Sequence, residues 1–332
     1  MKHFRSLITG TGSFLPPKIV PNAELAPRVG SSDQWIVEKI GIRERRYVEK
    51  GVGPSDLALE AAKKALEAAE RKPTDVDCIL FATTTPDYSA PGSGVLLQNK
   101  LGCHKIPAYD VHNTSPGFLF SLELGDTLIQ TGKYGCILVV ASEVMSTGLD
   151  FSERGRLMTV IFGDGAGAVL LEPTEGNHGI VTTRLHSDGS FYNKLWCEAP
   201  ASLCQPRITE EMIREGKVFS TMDGPVVFDN AVKLMSLAAE EVLVSQNLSV
   251  EEVDHIVPHQ ANLRIIEKIA KNLGAPMEKV ALTIERYGNT SAASIPITLD
   301  ESVRSGRIKE GDLVLMMSFG SGFSWGASLV RW

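Results

Sequence analysis

His259 and Ser115 stand where reactive groups would need to stand. His259 lies in Val257-Pro-His-Gln-Ala-Asn262, at the end of an apolar run. Ligands bind beyond strand ends in open α/β sheets, so an imidazole there can meet one. Strand-end histidines are also common structural residues, and this residue alone does not decide. Ser115 lies in Asp110-Val-His-Asn-Thr-Ser-Pro-Gly-Phe118. There a strand ends, a small polar turn follows, and a helix opens with Pro116 at its first position, where a missing N–H does no harm. Such a serine either caps the helix or offers its hydroxyl for nucleophilic chemistry. No G-x-S-x-G elbow is present, which sets aside the usual α/β-hydrolase arrangement. Gly320-Ser-Gly322 reads as a hairpin whose backbone comes close to something. Tyr287-Gly288-Asn289 sets a glycine beside an amide.

Other polar places carry less. Gly10-Thr-Gly12 lacks the third glycine and the later acidic residue of a dinucleotide site. Gly163-Asp-Gly-Ala-Gly167 reads as a tight turn, and no Walker sequence occurs. His3, His104, His112, His178, His186 and His255 have no reactive context. No His, Cys or Asp cluster has ligand spacing, so no metal is expected.

The elements that must position these residues alternate, strand with helix, so the class is α/β. Val76 to Thr83 and Gly135 to Ser142 read as buried strands. Ser55 to Ala69 reads as a helix capped by Ser55, and Gly117 to Tyr134 as another. Val76-Asp-Cys-Ile-Leu, a loop, a helix and Leu101-Gly102 recur as Val253-Asp-His-Ile-Val, a loop, a helix and Leu273-Gly274. This echo suggests two similar halves, 1–172 and 173–332, though two unrelated crossovers would read alike. The polar stretch after Leu171 marks the boundary. From Asp188 to Asp223 the periodicity is lost, and a long excursion with a little helix is expected.

Length suits two halves, and 43% hydrophobic with 22% charged residues is ordinary for a globular chain. A net charge of −7 weighs against a nucleic-acid binder. No apolar run of membrane length occurs, and the N-terminus reads as a first strand. Cys78, Cys103, Cys136, Cys197 and Cys204 form no paired framework and read as reduced thiols of a cytoplasmic protein.

Several blocks together resemble β-ketoacyl-acyl carrier protein synthase III. They are Val257-Pro-His-Gln-Ala-Asn-Leu-Arg-Ile-Ile266, Gly288-Asn-Thr-Ser-Ala-Ala-Ser294 and Phe319-Gly-Ser-Gly-Phe-Ser-Trp-Gly326. Gly10 to Pro16, Ser32 to Ile36, Gly41 to Arg45 and Phe162 to Ala168 continue the likeness in order over nearly the whole chain. The resemblance implies a thiolase fold, two similar halves stacked as α-β-α-β-α, and a homodimer. It implies an acyltransferase with no tightly bound cofactor that uses a coenzyme A thioester as substrate. An acyl group passes from acyl-CoA to a cysteine, malonyl-acyl carrier protein decarboxylates, and its carbanion attacks the acyl thioester.

In that likeness His259 and Asn289 fall on the family's histidine and asparagine, and Ser115 falls on its cysteine. The backbone N–H groups of Ser115 and Ser321 would form the oxyanion hole. Trp35, Arg154 (or its neighbour Arg156), Asn262 and Arg264 match contacts to CoA. Ala90 matches the residue that reaches across the dimer to close the partner's acyl tunnel, with Tyr88 two positions earlier. The serine is a departure. A thiol can be brought to neutrality by a helix dipole, whereas a hydroxyl needs a general base, and His259 is the one at hand. Two origins fit it: a natural variant nucleophile, or a replaced cysteine. Two other readings follow from the serine, a Ser-His O-/N-acyltransferase or thioesterase, and a non-catalytic partner subunit.

Overall fold

Two sheets, each covered on both faces, organise the chain. The computed structural model describes residues 5–332. Met1 to Phe4, with His3 and the opening of the expected first strand, lie outside the described residues. The chain begins β1 (Arg5–Phe14), β2 (Lys18–Pro21), α1 (Asn22–Leu25), α2 (Asp33–Ile40), β3 (Glu44–Tyr47), α3 (Pro54–Ala68) and β4 (Cys78–Ala82). It continues α4 (Ser93–Leu101), β5 (Ala108–Val111), α5 (Gly117–Gln130), β6 (Ile137–Glu143), α6 (Arg156–Thr159) and β7 (Gly165–Thr174). Then follow β8 (Gly179–Ser187), β9 (Leu195–Trp196), α7 (Glu210–Glu215), β10 (Thr221–Met222), α8 (Gly224–Ser245) and β11 (His255–Pro258). The last elements are α9 (Leu263–Leu273), α10 (Ile284–Tyr287), α11 (Ser294–Arg304), β12 (Leu313–Gly320) and β13 (Ser324–Arg331).

The first sheet has the order β1-β7-β6-β4-β5 and the second β11-β12-β13-β8. Reading β4-β6-β7-β1 against β11-β12-β13-β8, both show one parallel pairing and then two antiparallel ones. The halves differ at one edge. β5 adds a parallel strand beside β4, whereas the second sheet has at that place a single parallel bridge, Ile256 to Val280.

Side chains in a strand alternate between faces, which explains why these strands are apolar throughout. Cys78, Leu80 and Ala82 point inward, with Phe118, Leu119 and Leu122 of α5 and Ile295, Ile297 and Leu299 of α11. Val257, Val314 and Met316 of the second sheet close the same cluster. Ile79 and Phe81 point outward under α3 and α4, and Leu315 and Met317 point outward under α8 and α9. The result is the expected five layers, α-β-α-β-α, with α5 and α11 in the middle.

One local expectation needs correction, and one pair of glycines gains a role. Ser55 does not cap α3. Gly53 does, with Asp56 accepting from the Gly53 N–H at 3.0 Å, and the Ser55 hydroxyl donates instead to Asp87 at 2.7 Å. Gly10 and Gly12, set aside as a dinucleotide site, serve packing. A Cβ at either would strike a carbonyl oxygen of α3, Ala65 or Ala61, so these glycines let that helix lie close on β1.

Candidate active site

The turn from β5 into α5 carries Ser115. The helix begins at Gly117, with Pro116 at its cap position and no side-chain cap, so Ser115 does not cap it and Pro116 precedes its first turn. Thr114 has φ 44°, a left-handed conformation costly for a β-branched residue. Its carbonyl accepts from the Gly117 N–H at 2.9 Å and tightens the turn. Ser115 is left half-buried, ahead of the helix N-terminus.

Glycines set what approaches this turn. A Cβ on Gly117 would stand 3.2 Å from Ala82 Cβ and 3.6 Å from Ala292 Cβ. The opening of α5 is therefore held between the end of β4 and the segment that follows Asn289. A Cβ on Gly320 would stand 2.5 Å from Thr114 Oγ1 and 3.1 Å from Ser115 N, so only glycine lets the β12–β13 hairpin come this near. Phe323 anchors that hairpin, fully buried and stacked 4.9 Å from Phe191. The Ser321 hydroxyl donates to the Leu195 carbonyl, which ties the hairpin to the long excursion.

His259 follows β11. Its N–H donates to Met317 O at 2.8 Å, and its Nδ1 lies 2.7 Å from Ser294 Oγ at the start of α11. The ring is 3% exposed. Burial lowers its pKa from 6.5 to about 3, because a charged imidazole would lose its hydration there. The ring is therefore neutral at working pH. Buried Gln260 braces the loop. Its Nε2 donates to Pro258 O and Ala281 O, and its Oε1 accepts from the N–H groups of Thr283 and Ile284.

Asn289 is 6% exposed and bridges to Phe162. Its N–H donates to Ile161 O at 2.9 Å, and its carbonyl accepts from Gly163 N at 3.0 Å. Gly163 and Phe162 thus lie in a short extended pairing, where a tight turn was expected. The amide oxygen accepts from Ser291 N at 2.8 Å, which leaves the two amide hydrogens free to donate. Glu143, at the end of β6, is a residue sequence reasoning passed over. Its fully buried carboxyl takes the hydroxyls of Thr83, Thr84 and Thr85 and the Thr84 N–H. Burial pushes its pKa up, while these bonds and one from Ser291 oppose the shift. The one signal was a charge closing an apolar run, Ile137 to Ser142.

These contacts bring the segments bearing Ser115, His259, Asn289 and Ser321 together at the C-terminal ends of β4, β5, β11 and β12. The arrangement offers a hydroxyl, a neutral imidazole, an amide and backbone N–H groups of a hairpin and a helix start. Together they can hold a thioester carbonyl and stabilise an oxyanion. Among the described residues, no group of three or more His, Cys, Asp or Glu could hold a metal ion. Nor is any described helix long and apolar enough to cross a membrane.

The residues matched to CoA lie on α2, at the start of α9 and in the turn before α6. Trp35 lies on α2, capped by Ser32, and packs half-buried against the cluster that holds Ile36, Ile40 and Val160. Asn262 Nδ2 donates to Lys39 O at 3.3 Å, and Arg264 donates to Glu38 O at 2.8 and 3.0 Å. Both residues thus fasten the helix after His259 to the end of α2. Arg154 pairs with Asp150 at 2.6 Å, donates to Arg214 O at 3.1 Å and lies over Phe219. Arg156 donates to Gly30 O at 2.9 Å. Tyr88 and Ala90 are exposed in the loop between β4 and α4.

Known proteins share this arrangement of the chain. Residues 109–189 match the family described as 3-Oxoacyl-[acyl-carrier-protein (ACP)] synthase III, and residues 243–332 match its C-terminal family. A beta-ketoacyl-[acyl-carrier-protein] synthase III of Erythrobacter litoralis (strain HTCC2594) is 45% identical over 331 residues, 99% of each chain. The 3-oxoacyl-[acyl-carrier-protein] synthase III of Aquifex aeolicus VF5 superposes with a TM-score of 0.90 at 38% identity, over 98% of this chain and 100% of that one. The corresponding synthase of Pseudomonas aeruginosa PAO1 gives 0.90 at 33% identity, over 99% and 98%.

Proposed function

The chain belongs to the 3-oxoacyl-[acyl-carrier-protein] synthase III family and is a condensing acyltransferase of thiolase fold, and on that premise we propose that Ser115, His259 and Asn289 form its reactive centre. The observation that supports this most is the pair of close approaches, Gly320 against Ser115 N and Gly117 against Ala292. They bring the serine turn against the Ser321 hairpin and the segment that follows Asn289, and the His259 N–H bonds Met317 O of the strand that leads into that hairpin.

An acyl-CoA presents its carbonyl at Ser115, with the N–H groups of Ser115 and Ser321 facing the oxygen. Malonyl-acyl carrier protein then enters. Its C–C bond to the carboxylate breaks, CO2 leaves, and the electron pair moves onto the thioester as an enolate. The enolate oxygen takes hydrogen bonds from the His259 ring and the Asn289 amide, and neither donor needs a charge. Ser115 has by then taken the acyl group as an ester, with CoA leaving as its thiol. The enolate carbon attacks that ester carbonyl, the new C–C bond forms, and the serine oxygen leaves and regains its proton. A serine hydroxyl does not ionise at neutral pH as a thiol does, so the acyl-transfer half is slow here and decarboxylation outlives it.

No tightly bound cofactor is needed, and the CoA thioester is a substrate. Trp35, Arg154, Asn262 and Arg264 bind it, with Trp35 taking the adenine face. The protein is a homodimer in the cytoplasm. The edge position of β5 supports dimerisation, since an open edge invites a second copy, and exposed Tyr109 on that strand suits a covered surface. The loop with Tyr88 and Ala90 then reaches the partner's acyl tunnel. The two halves, 1–172 and 173–332, divide the work: the first supplies the nucleophile position, the second His259 and Asn289.

Two measurements test the reading. Purified protein should release CO2 from malonyl-acyl carrier protein faster than it forms β-ketoacyl product. Intact mass after mixing with acyl-CoA should show little serine ester. Fast condensation with no serine ester would remove Ser115 from the reaction.

A further inference from the structure

We propose that Ser294 is a positioning residue that holds His259 in one tautomer, with the ring hydrogen on Nε2, so that the histidine donates to a thioester oxygen and does not serve as base for Ser115. The inference deepens the reactive-centre reading and rests on it.

It follows from counting hydrogens around one oxygen. A serine hydroxyl has one hydrogen and two lone pairs. Ser294 Oγ accepts from the Gln260 N–H at 3.3 Å, which occupies one lone pair. His259 Nδ1 lies 2.7 Å away. If Nδ1 carried the ring hydrogen, Oγ would receive two donors, and its own hydrogen would need another acceptor. Among the described residues, Nδ1 is the only acceptor bonded to that oxygen. Ser294 is 2% exposed, and a buried hydroxyl hydrogen with no acceptor is costly. If instead the hydroxyl donates to Nδ1, all three groups are satisfied. A neutral ring that accepts at Nδ1 must carry its hydrogen on Nε2.

Neighbouring contacts hold the oxygen in place. The Ser294 carbonyl accepts from Thr298 Oγ1 at 2.7 Å, and Thr298 Oγ1 is 2.7 Å from Thr283 Oγ1. The Thr283 N–H donates to Gln260, whose own N–H reaches Ser294. Ser291 does for Asn289 what Ser294 does for His259: each acceptor atom is taken from behind, and donors remain for the pocket. For Ser115 to pass its proton to His259, the ring would have to exchange tautomer and give up the bond from Ser294. The device favours the decarboxylating half of the reaction and withholds a base from the serine.

The test reads the tautomer directly. Protein labelled with 15N in the histidine rings is measured by long-range 1H–15N correlation, and the His259 signals are identified by their loss in His259→Gln. The unmodified protein should show Nε2 protonated and Nδ1 bare. A ring protonated at Nδ1 overturns the proposal, and this reading depends on no Ser294 variant folding. In Ser294→Ala the Nδ1–H form should appear, and kcat for CO2 release from malonyl-CoA should fall roughly two- to tenfold with KM little changed. Ser294→Thr, which keeps a hydroxyl, should restore both. An unchanged tautomer and unchanged kcat in Ser294→Ala would also overturn it. Failure of the underlying reading looks different: His259→Gln would then release CO2 as fast as the unmodified protein.

Discussion

The turn that carries Ser115 and the segments that carry His259 and Asn289 are built on opposite plans. Ser115 is half-buried and caps nothing, and its surroundings are set largely by close approaches at Gly117 and Gly320. His259 and Asn289 are almost wholly buried, and each has its acceptor atom bonded from behind by a serine of the same short stretch, Ser294 or Ser291. The first region leaves the Ser115 side chain without a hydrogen bond to another described residue. The second holds neutral donors in a fixed direction. A change at 115 therefore breaks no side-chain bond, whereas a change at 259 or 289 disturbs a bonded network.

The largest expected effect breaks the comparison at its open side. In Ser115→Cys the thiol stands ahead of the α5 N-terminus, and its pKa should fall. Relief from the need for a general base is worth about 10²–10⁴-fold. The variant should take up acyl mass from acyl-CoA on the peptide spanning Asp110 to Phe118. It should also react there with iodoacetamide faster than at Cys103 or Cys136, whose thiols burial pushes up, Cys136 to about 12. Labelling elsewhere, with the fold intact, would show that position 115 is not the nucleophile site.

Attack on the closed side comes next. His259→Ala or Asn289→Ala removes one donor to the enolate oxygen, and such donors are typically worth about 2.7–4 kcal/mol. CO2 release from malonyl-CoA should fall accordingly in either variant, both in the otherwise unmodified protein and in the Ser115→Cys background.

Acidity sharpens the contrast without a mutation. Burial holds the folded His259 near 3, against 6.5 in the unfolded chain. Below about pH 6.5 the unfolded state binds a proton that the folded state refuses, so stability falls as pH drops from about 6.5 toward 3. The His259 contribution to that slope is about 1.4 kcal/mol per pH unit at most. Chemical denaturation at pH 7 and at pH 5 should show the loss, and it should be smaller in His259→Gln. A rate of CO2 release that titrates with a midpoint near 6.5 would contradict a neutral ring.

Gly320→Ala presses the two regions together. Its Cβ would meet Thr114 Oγ1 and Pro116 Cδ, and overpacking of this kind costs about 1–3 kcal/mol. A lower melting temperature and weaker acyl transfer in a Ser115→Cys background are expected. The smallest effect lies at the far end of the pocket. If Ala90 leaves the acyl tunnel open, affinity along an acyl-CoA series should climb by about 0.8 kcal/mol per CH₂. A flat series beyond four carbons would mean that Tyr88 or the 188–223 excursion fills it.

Much was readable from the chain alone. Apolar runs such as Cys78 to Ala82 and Leu313 to Met317 announced strands covered on both faces, because alternation puts half of each run against each layer. The order of strands and helices gave the α/β class, and the block around Val257-Pro-His-Gln-Ala-Asn262 carried the likeness to a family. Local chemistry of this kind is written in neighbouring residues. Several decisions were not. Ser115 reads as a helix cap until the helix is seen to start at Gly117. Gly10 and Gly12 have no evident role in the sequence until α3 is seen lying on them. Glu143 meets Thr85, 58 residues earlier in the chain, and His259 meets a hydroxyl 35 residues later. Which atom accepts a hydroxyl's hydrogen depends on distances of a few tenths of an ångström between distant segments. Only the packing of two sheets about α5 and α11 fixes those distances, so the sequence supplies the groups and the tertiary structure decides which of them donate.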